Sequence, residues 1–96
     1  MRKLDIAKKR AKDLNLNWQS LDISDKKGKR FKILNKNNKW IHFGLYPYAG
    51  KGTYIDHHDE NIRKAWNARH MKIKNKNGYA YLDEDSPEYY SKRILW

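Results

Sequence analysis

The chain has no cysteine and no valine, and only two prolines and two phenylalanines. Without cysteine it can build neither a disulfide framework nor a thiolate metal site. No apolar run approaches the roughly 20 residues that a membrane-crossing helix needs. The first residues, Met1-Arg2-Lys3-Leu4-Asp5, are basic and lead into no apolar stretch, which predicts no secretory signal. Acid is scarce as well: 11 Asp and Glu face 22 Lys and Arg, a formal net charge of +11. The imbalance is uneven. Residues 1–82 hold 20 basic and 7 acidic side chains, and residues 83–96 hold 2 and 4. A body so basic attracts polyanions strongly. Also missing are a Ser/His/Asp or Cys/His arrangement and an isolated carboxylate pair suited to acid–base work. Lys51 lies between Gly50 and Gly52, but that spacing does not match a phosphate-cradling loop. The expectation is that the chain is not an enzyme and carries no cofactor.

Aromatic residues are plentiful instead: four Trp, seven Tyr and two Phe in 96 residues. This length makes one small domain with a modest core. Leu4, Ala7, Ala11 and Leu14 recur at helical spacing and predict an N-terminal helix over 3–15. Its other face carries Lys3, Lys8, Lys9, Arg10 and Lys12. Residues 1–17 read as this basic helix and 18–96 as the core. Three short alternating runs follow, 18–24, 29–34 and 39–44, separated by Asp25-Lys26-Lys27-Gly28 and Asn35-Lys36-Asn37-Asn38. They predict a three-stranded antiparallel meander. Alternation puts Phe31, Ile33, Ile41 and Phe43 on the packing face, and Arg30, Lys32, Trp40 and His42 on the open one. A longer helix is predicted over 59–72, with Arg63, Lys64, Arg69 and Lys72 on it, and Asp56 or Asp59 as its cap. Residues 74–78 read as a polar turn. Ser86-Pro87-Glu88 starts a short C-terminal helix over 87–95. The fold class is therefore α+β. Arg69 is expected to hold the 89–96 segment onto the core.

Residues 40–70 hold all four histidines and two of the four tryptophans. Asp56, His57, His58 and Asp59 are metal-ligand types, but a zinc site needs three or four convergent ligands. Only the fold could bring His42 or His70 in to complete one, so the expected role is a helix start and no metal. Gly44-Leu45-Tyr46 and Tyr54-Ile55-Asp56, followed by Arg63 and His70, are similar in outline to the paired motifs of GIY-YIG nucleases. Here the second motif ends in Asp56, Pro47 interrupts the intervening segment, and no later Glu and Asn stand in the matching context. A metal-dependent nuclease using His57, His58 and Asp59 is thus a third-rank reading.

Larger blocks occur in order: K-K-G-K-R-F-K-I at 26–33, W-I-H-F-G at 40–44, D-E-N-I-R-K-A-W-N-A-R-H at 59–70 and S-P-E-Y-Y-S-K-R-I-L-W at 86–96. The string resembles a group of small, basic, mostly uncharacterised proteins encoded by large double-stranded DNA viruses and tailed phages. The shared elements fall on residues 41–44, Tyr54, His58, Asp59, Arg63, Lys64, Trp66, Arg69, His70 and residues 90–96. The resemblance implies a viral setting and no particular activity. With the charge and the aromatic surplus, it leads to the expectation of an auxiliary or minor capsid protein. Such a protein would be present in many copies in a virion assembled in the host cytoplasm. Trp40, Tyr46, Tyr48 and Trp96 would contact viral capsid proteins. The alternative is a non-sequence-specific DNA- or RNA-binding protein. In either case Lys8, Lys9, Arg10, Lys12, Arg63, Lys64 and Arg69 would meet nucleic acid or an acidic partner, and no membrane is involved.

Overall fold

The structure is a computed structural model and describes residues 2–47 and 50–96. The fold is α+β: an N-terminal helix, a three-stranded antiparallel sheet, a longer helix and a short C-terminal one. Helix α1 (Lys3–Asp13) buries Leu4, Ala7 and Ala11 at the predicted spacing. It stops two residues early. Asn15 takes a left-handed backbone conformation at φ 55°, and Leu14 is left half exposed beyond the last turn.

Strands β1 (Trp18–Ile23), β2 (Lys29–Asn35) and β3 (Trp40–Leu45) pair in sequence order. The register sets Phe31 opposite Phe43 and Ile33 opposite both Leu21 and Ile41. All five side chains are buried, so the period-two pattern placed the packing face correctly. The Phe31 and Phe43 rings lie 6.0 Å apart, and Phe43 lies 6.0 Å from Tyr90. Asn35, expected only as a turn residue, is fully buried. Its amide donates to Glu84 O (3.1 Å) and Asp85 Oδ1 (2.8 Å). Its carbonyl oxygen accepts from the N–H groups of Asn37 and Lys39. The β2–β3 turn is thereby tied to the acidic 83–85 corner, where Lys36 and Lys39 pair with Glu84 and Asp85.

A four-residue helix, α2 (Tyr54–His57), precedes α3 (Glu60–His70). The chain then makes a small hairpin, β4 (Lys74–Asn75) and β5 (Gly78–Tyr79), where only a polar turn was expected. A single 3-10 turn, Ala80–Leu82, follows. Helix α4 (Pro87–Tyr90) starts as predicted, with Ser86 Oγ accepting from the Glu88 N–H. It continues as a π-turn, Ser91–Leu95. Tyr90, Ile94 and Leu95 are buried against the sheet and α1. Burial pushes the Tyr90 phenol up to about 12.

Two expectations about this segment are corrected. Arg69 is exposed, and among the described residues it makes no hydrogen bond or ion pair. Arg10 does the anchoring: its guanidinium donates to Ile94 O (2.8 Å) and Arg93 O (3.2 Å). Last-turn carbonyls have no partner within their own helix, and a cation is the favoured group there. Arg93 adds bonds to Tyr81 O and Tyr89 O and lies 3.7 Å over the Tyr89 ring. Trp96, expected at an interface, is buried in the chain's own core. Arg10→Ala should therefore cost about 2–3 kcal/mol in urea unfolding, since it removes two charge-assisted bonds. Arg69→Ala should stay within about 0.5 kcal/mol, the range of ordinary surface changes.

Candidate functional site

One buried ion pair ties β2 to the start of the helical segment. Arg30 Nη1 and Nη2 each donate to an oxygen of Asp56 at 2.8 Å, and both side chains are 6% exposed. The same carboxylate accepts from the Thr53 N–H and Oγ–H, both at 2.8 Å, in the manner of a capping box at the start of α2. Lys3 Nζ approaches it at 3.6 Å and donates to Ile55 O, so α1 joins the same knot. Burial alone would raise the Asp56 pKa. The Arg30 guanidinium and the two Thr53 bonds outweigh it and hold the carboxyl well below the usual carboxylate range. Alternation put Arg30 on the open sheet face with Lys32. The structure corrects this. Gly44, at φ 81°, leaves the space beside it: a Cβ there would lie 2.9 Å from Leu95 Cδ1 and 3.1 Å from Arg30 Cβ.

The histidines are divided. His57 Nδ1 accepts from the Asp59 N–H, and Asp59 caps α3 by accepting from the N–H groups of Asn61 and Ile62. His58 occupies the left-handed position at φ 57° that ends α2. His42 Nδ1 and Ser24 Oγ share a 2.7 Å hydrogen bond. His70 bonds the Glu88 carboxylate at 3.0 Å and stacks on Trp66, with ring centroids 3.9 Å apart. Among the described residues no three His, Asp or Glu side chains converge as metal ligands. Asp56 acts at the start of α2 and Asp59 at the start of α3. Trp66 stacks on Trp96 with ring centroids 5.0 Å apart, and the His57 ring lies tilted 5.4 Å from Trp96.

The cations expected to meet a partner also divide. On α1, Lys8 and Lys12 are exposed, Lys9 pairs with Asp13 at 2.8 Å, and Arg10 is turned inward. On α3, Arg63 contacts Glu60 and lies 4.7 Å over the Tyr54 ring, while Lys64 and Arg69 are exposed. Residues 63–79 contain Arg63, Lys64, Arg69, Lys72, Lys74 and Lys76 and no acidic residue. Every residue from 71 to 79 is exposed. Lys72 was expected only as a helix-end cation, and Lys74 and Lys76 only as part of a polar turn, although the acid-free run is visible in the sequence.

Of the aromatics expected at an interface, Trp40 is 45% exposed with Lys32 Nζ 4.8 Å from its ring, and Tyr46 is 58% exposed. Tyr48 lies outside the described residues. A half-open cavity of about 660 Å³ lies between the β2–β3 sheet end, the 50–53 loop, α3 and α4, with Arg69 and His70 in its wall.

A family model, described as a family of unknown function (DUF5754), matches residues 19–70, more than half of the chain. That span runs from β1 through α3 and includes Arg30, Asp56 and Arg69. No curated protein and no solved structure matches the chain.

The depressed folded pKa of Asp56 makes its contribution present above the unfolded carboxylate value near 4 and lost as pH falls below it. Stability should thus decline from about pH 4 downwards. Asp56→Asn should cost about 3–5 kcal/mol at pH 7, because it leaves the buried Arg30 charge without its carboxylate. It should also flatten the acid decline when stability is measured by urea unfolding across pH.

Proposed function

We propose that this chain, a member of that family of unknown function, binds nucleic acid through its phosphates and without sequence preference. One observation carries the reading. Residues 63–79 present six cations and no acid along α3 and the exposed β4–β5 hairpin. Only Arg63 is paired with a carboxylate there, among the described residues. Cations held in internal bonds, such as Arg10, Arg30 and Arg93, cannot serve a partner without breaking the fold. Those of the α3–hairpin side are free to replace counterions on a polyanion. Lys8 and Lys12 on α1 offer a smaller second set. Lys74 lies 5.0 Å from the half-exposed Tyr79 ring, a pairing of charge and flat apolar surface suited to a sugar–phosphate edge.

A second reading, an auxiliary capsid protein seated on a capsid lattice, rests on the resemblance to viral proteins. It is favoured by the exposure of Trp40 and Tyr46. With Trp96 committed to the core, this reading keeps fewer anchors than the sequence offered.

The test is duplex DNA binding as a function of salt. Affinity should fall linearly on a log–log plot, with about 0.9 of slope per neutralised phosphate. Changing Lys72, Lys74 and Lys76 together to Ala should weaken binding to all sequences alike and reduce the slope by about 2–3. An unchanged slope would remove the hairpin from the interface. A wild-type chain that binds no duplex at low salt would end the reading.

A further inference from the structure

The cavity beside the basic side is not used by phosphate contact alone. Its floor is apolar: Leu45, Ile62, Trp66, Leu95 and Trp96. At its walls stand Lys29, Lys51 and Arg69, none of which forms an ion pair among the described residues. The one acidic side chain among the described lining residues, Glu88, is already bonded to His70 at 3.0 and 3.2 Å. Uncompensated charge in the cavity is therefore positive, and the surface beneath it is hydrophobic. The matching occupant has a flat apolar body and an anionic group attached to it. A volume of about 660 Å³ lies within the range of small-molecule sites and has room for one nucleotide.

The stack constrains how such a body would sit. Trp66 is covered by His70 on one face, at 3.9 Å, and by Trp96 on the other, at 5.0 Å. A base cannot intercalate there without breaking the stack. It can lie across the indole edges, on Leu45 and Ile62. Contact of that kind does not distinguish one base from another, because every base offers an apolar face. In a duplex the bases are paired and stacked, and only phosphates and groove edges are within reach. In a single strand a base can leave the stack.

We infer that this cavity takes one unstacked nucleotide of a single strand, with its base on the Leu45–Ile62–Trp66 floor and its phosphate among Lys29, Lys51 and Arg69. The inference rests on the nucleic-acid reading above and adds to it a preference for single strands. Because Arg69 belongs both to the cavity wall and to the basic run of α3, the same strand can engage both.

Fluorescence anisotropy of the full chain with a labelled 12-nucleotide single strand and with the duplex of the same sequence, at one salt concentration, tests it. The single strand should bind at least tenfold more tightly. Leu45→Trp, at a floor position 60% exposed, adds bulk to the cavity without removing a cation. It should bring single-strand affinity down to that of the duplex and leave duplex affinity unchanged. Lys51→Glu, at an exposed loop position, should do the same to the single strand, and decides the matter if Leu45→Trp does not fold. Equal affinity of the wild type for both forms, or a single-strand preference that survives these substitutions, overturns the cavity inference while duplex binding keeps the phosphate reading. Absence of binding to either form overturns both.

Discussion

The structure depends on a bidentate ion pair between two side chains that are each 6% exposed, Arg30 on β2 and Asp56 on α2. It is the shortest polar link between the sheet and the helical half at this corner, where Arg30 also donates to Thr53 Oγ at 3.4 Å. With it, Thr53, α2 and α1 are all referred to one carboxylate. A buried pair of this kind is weak evidence for stability, because desolvation of two charges offsets much of their attraction. Its consequence is orientation. The geometry is satisfied only when β2 and α2 stand in one relation, and α3 begins three residues after α2 ends. The position of the basic side of the molecule follows from that relation.

The positive charge of the chain is thus spent in two ways. Arg10, Arg30 and Arg93 close the fold from within, on helix-end carbonyls or a carboxylate. The exposed lysines of the hairpin and the end of α3 do no such work. Arginine suits the internal role because its planar fork can satisfy two acceptors at once. The acidic residues are confined as well. Asp83 and Asp85 are held below the usual carboxylate range, Asp83 first by the Asp85 N–H and then by the Asn77 amide, Asp85 first by Lys39 and then by the Asn37 and Asn35 amides. Negative charge at this corner is engaged locally, and the α3–hairpin side keeps its sign.

Local periodicity made much of this legible in advance. The spacing of Leu4, Ala7 and Ala11 and the alternation of Phe31, Ile33, Ile41 and Phe43 reflect which side chains must leave water, and both held. Ser86 and Pro87 start α4 because capping is a local matter. Helix α2 was missed because four residues carry no periodicity; its one signal is Thr53 followed three residues later by Asp56. Arg30 was misplaced for a different reason: its partner is 26 residues away, and no alternation rule knows where a distant carboxylate will lie. The same distance blindness hid Asn35, whose partners are about 50 residues on, and gave the anchoring of the C-terminal segment to Arg69 instead of Arg10. Trp96 could have docked at home or on a neighbour, and only the placement of Trp66 and His57 around it decides. The cavity joins residues spread from Gly28 to Trp96, so no stretch of sequence announces it.

The central claim is that structural and partner-facing cations are separate sets. Amide chemical-shift mapping of the folded chain with a short DNA duplex tests it most directly. The account predicts that shifts concentrate on residues 63–79, with smaller changes around Lys8 and Lys12 and none at Arg10, Arg30 or Arg93. Shifts centred on the sheet face around Trp40 and absent from residues 63–79 would contradict it.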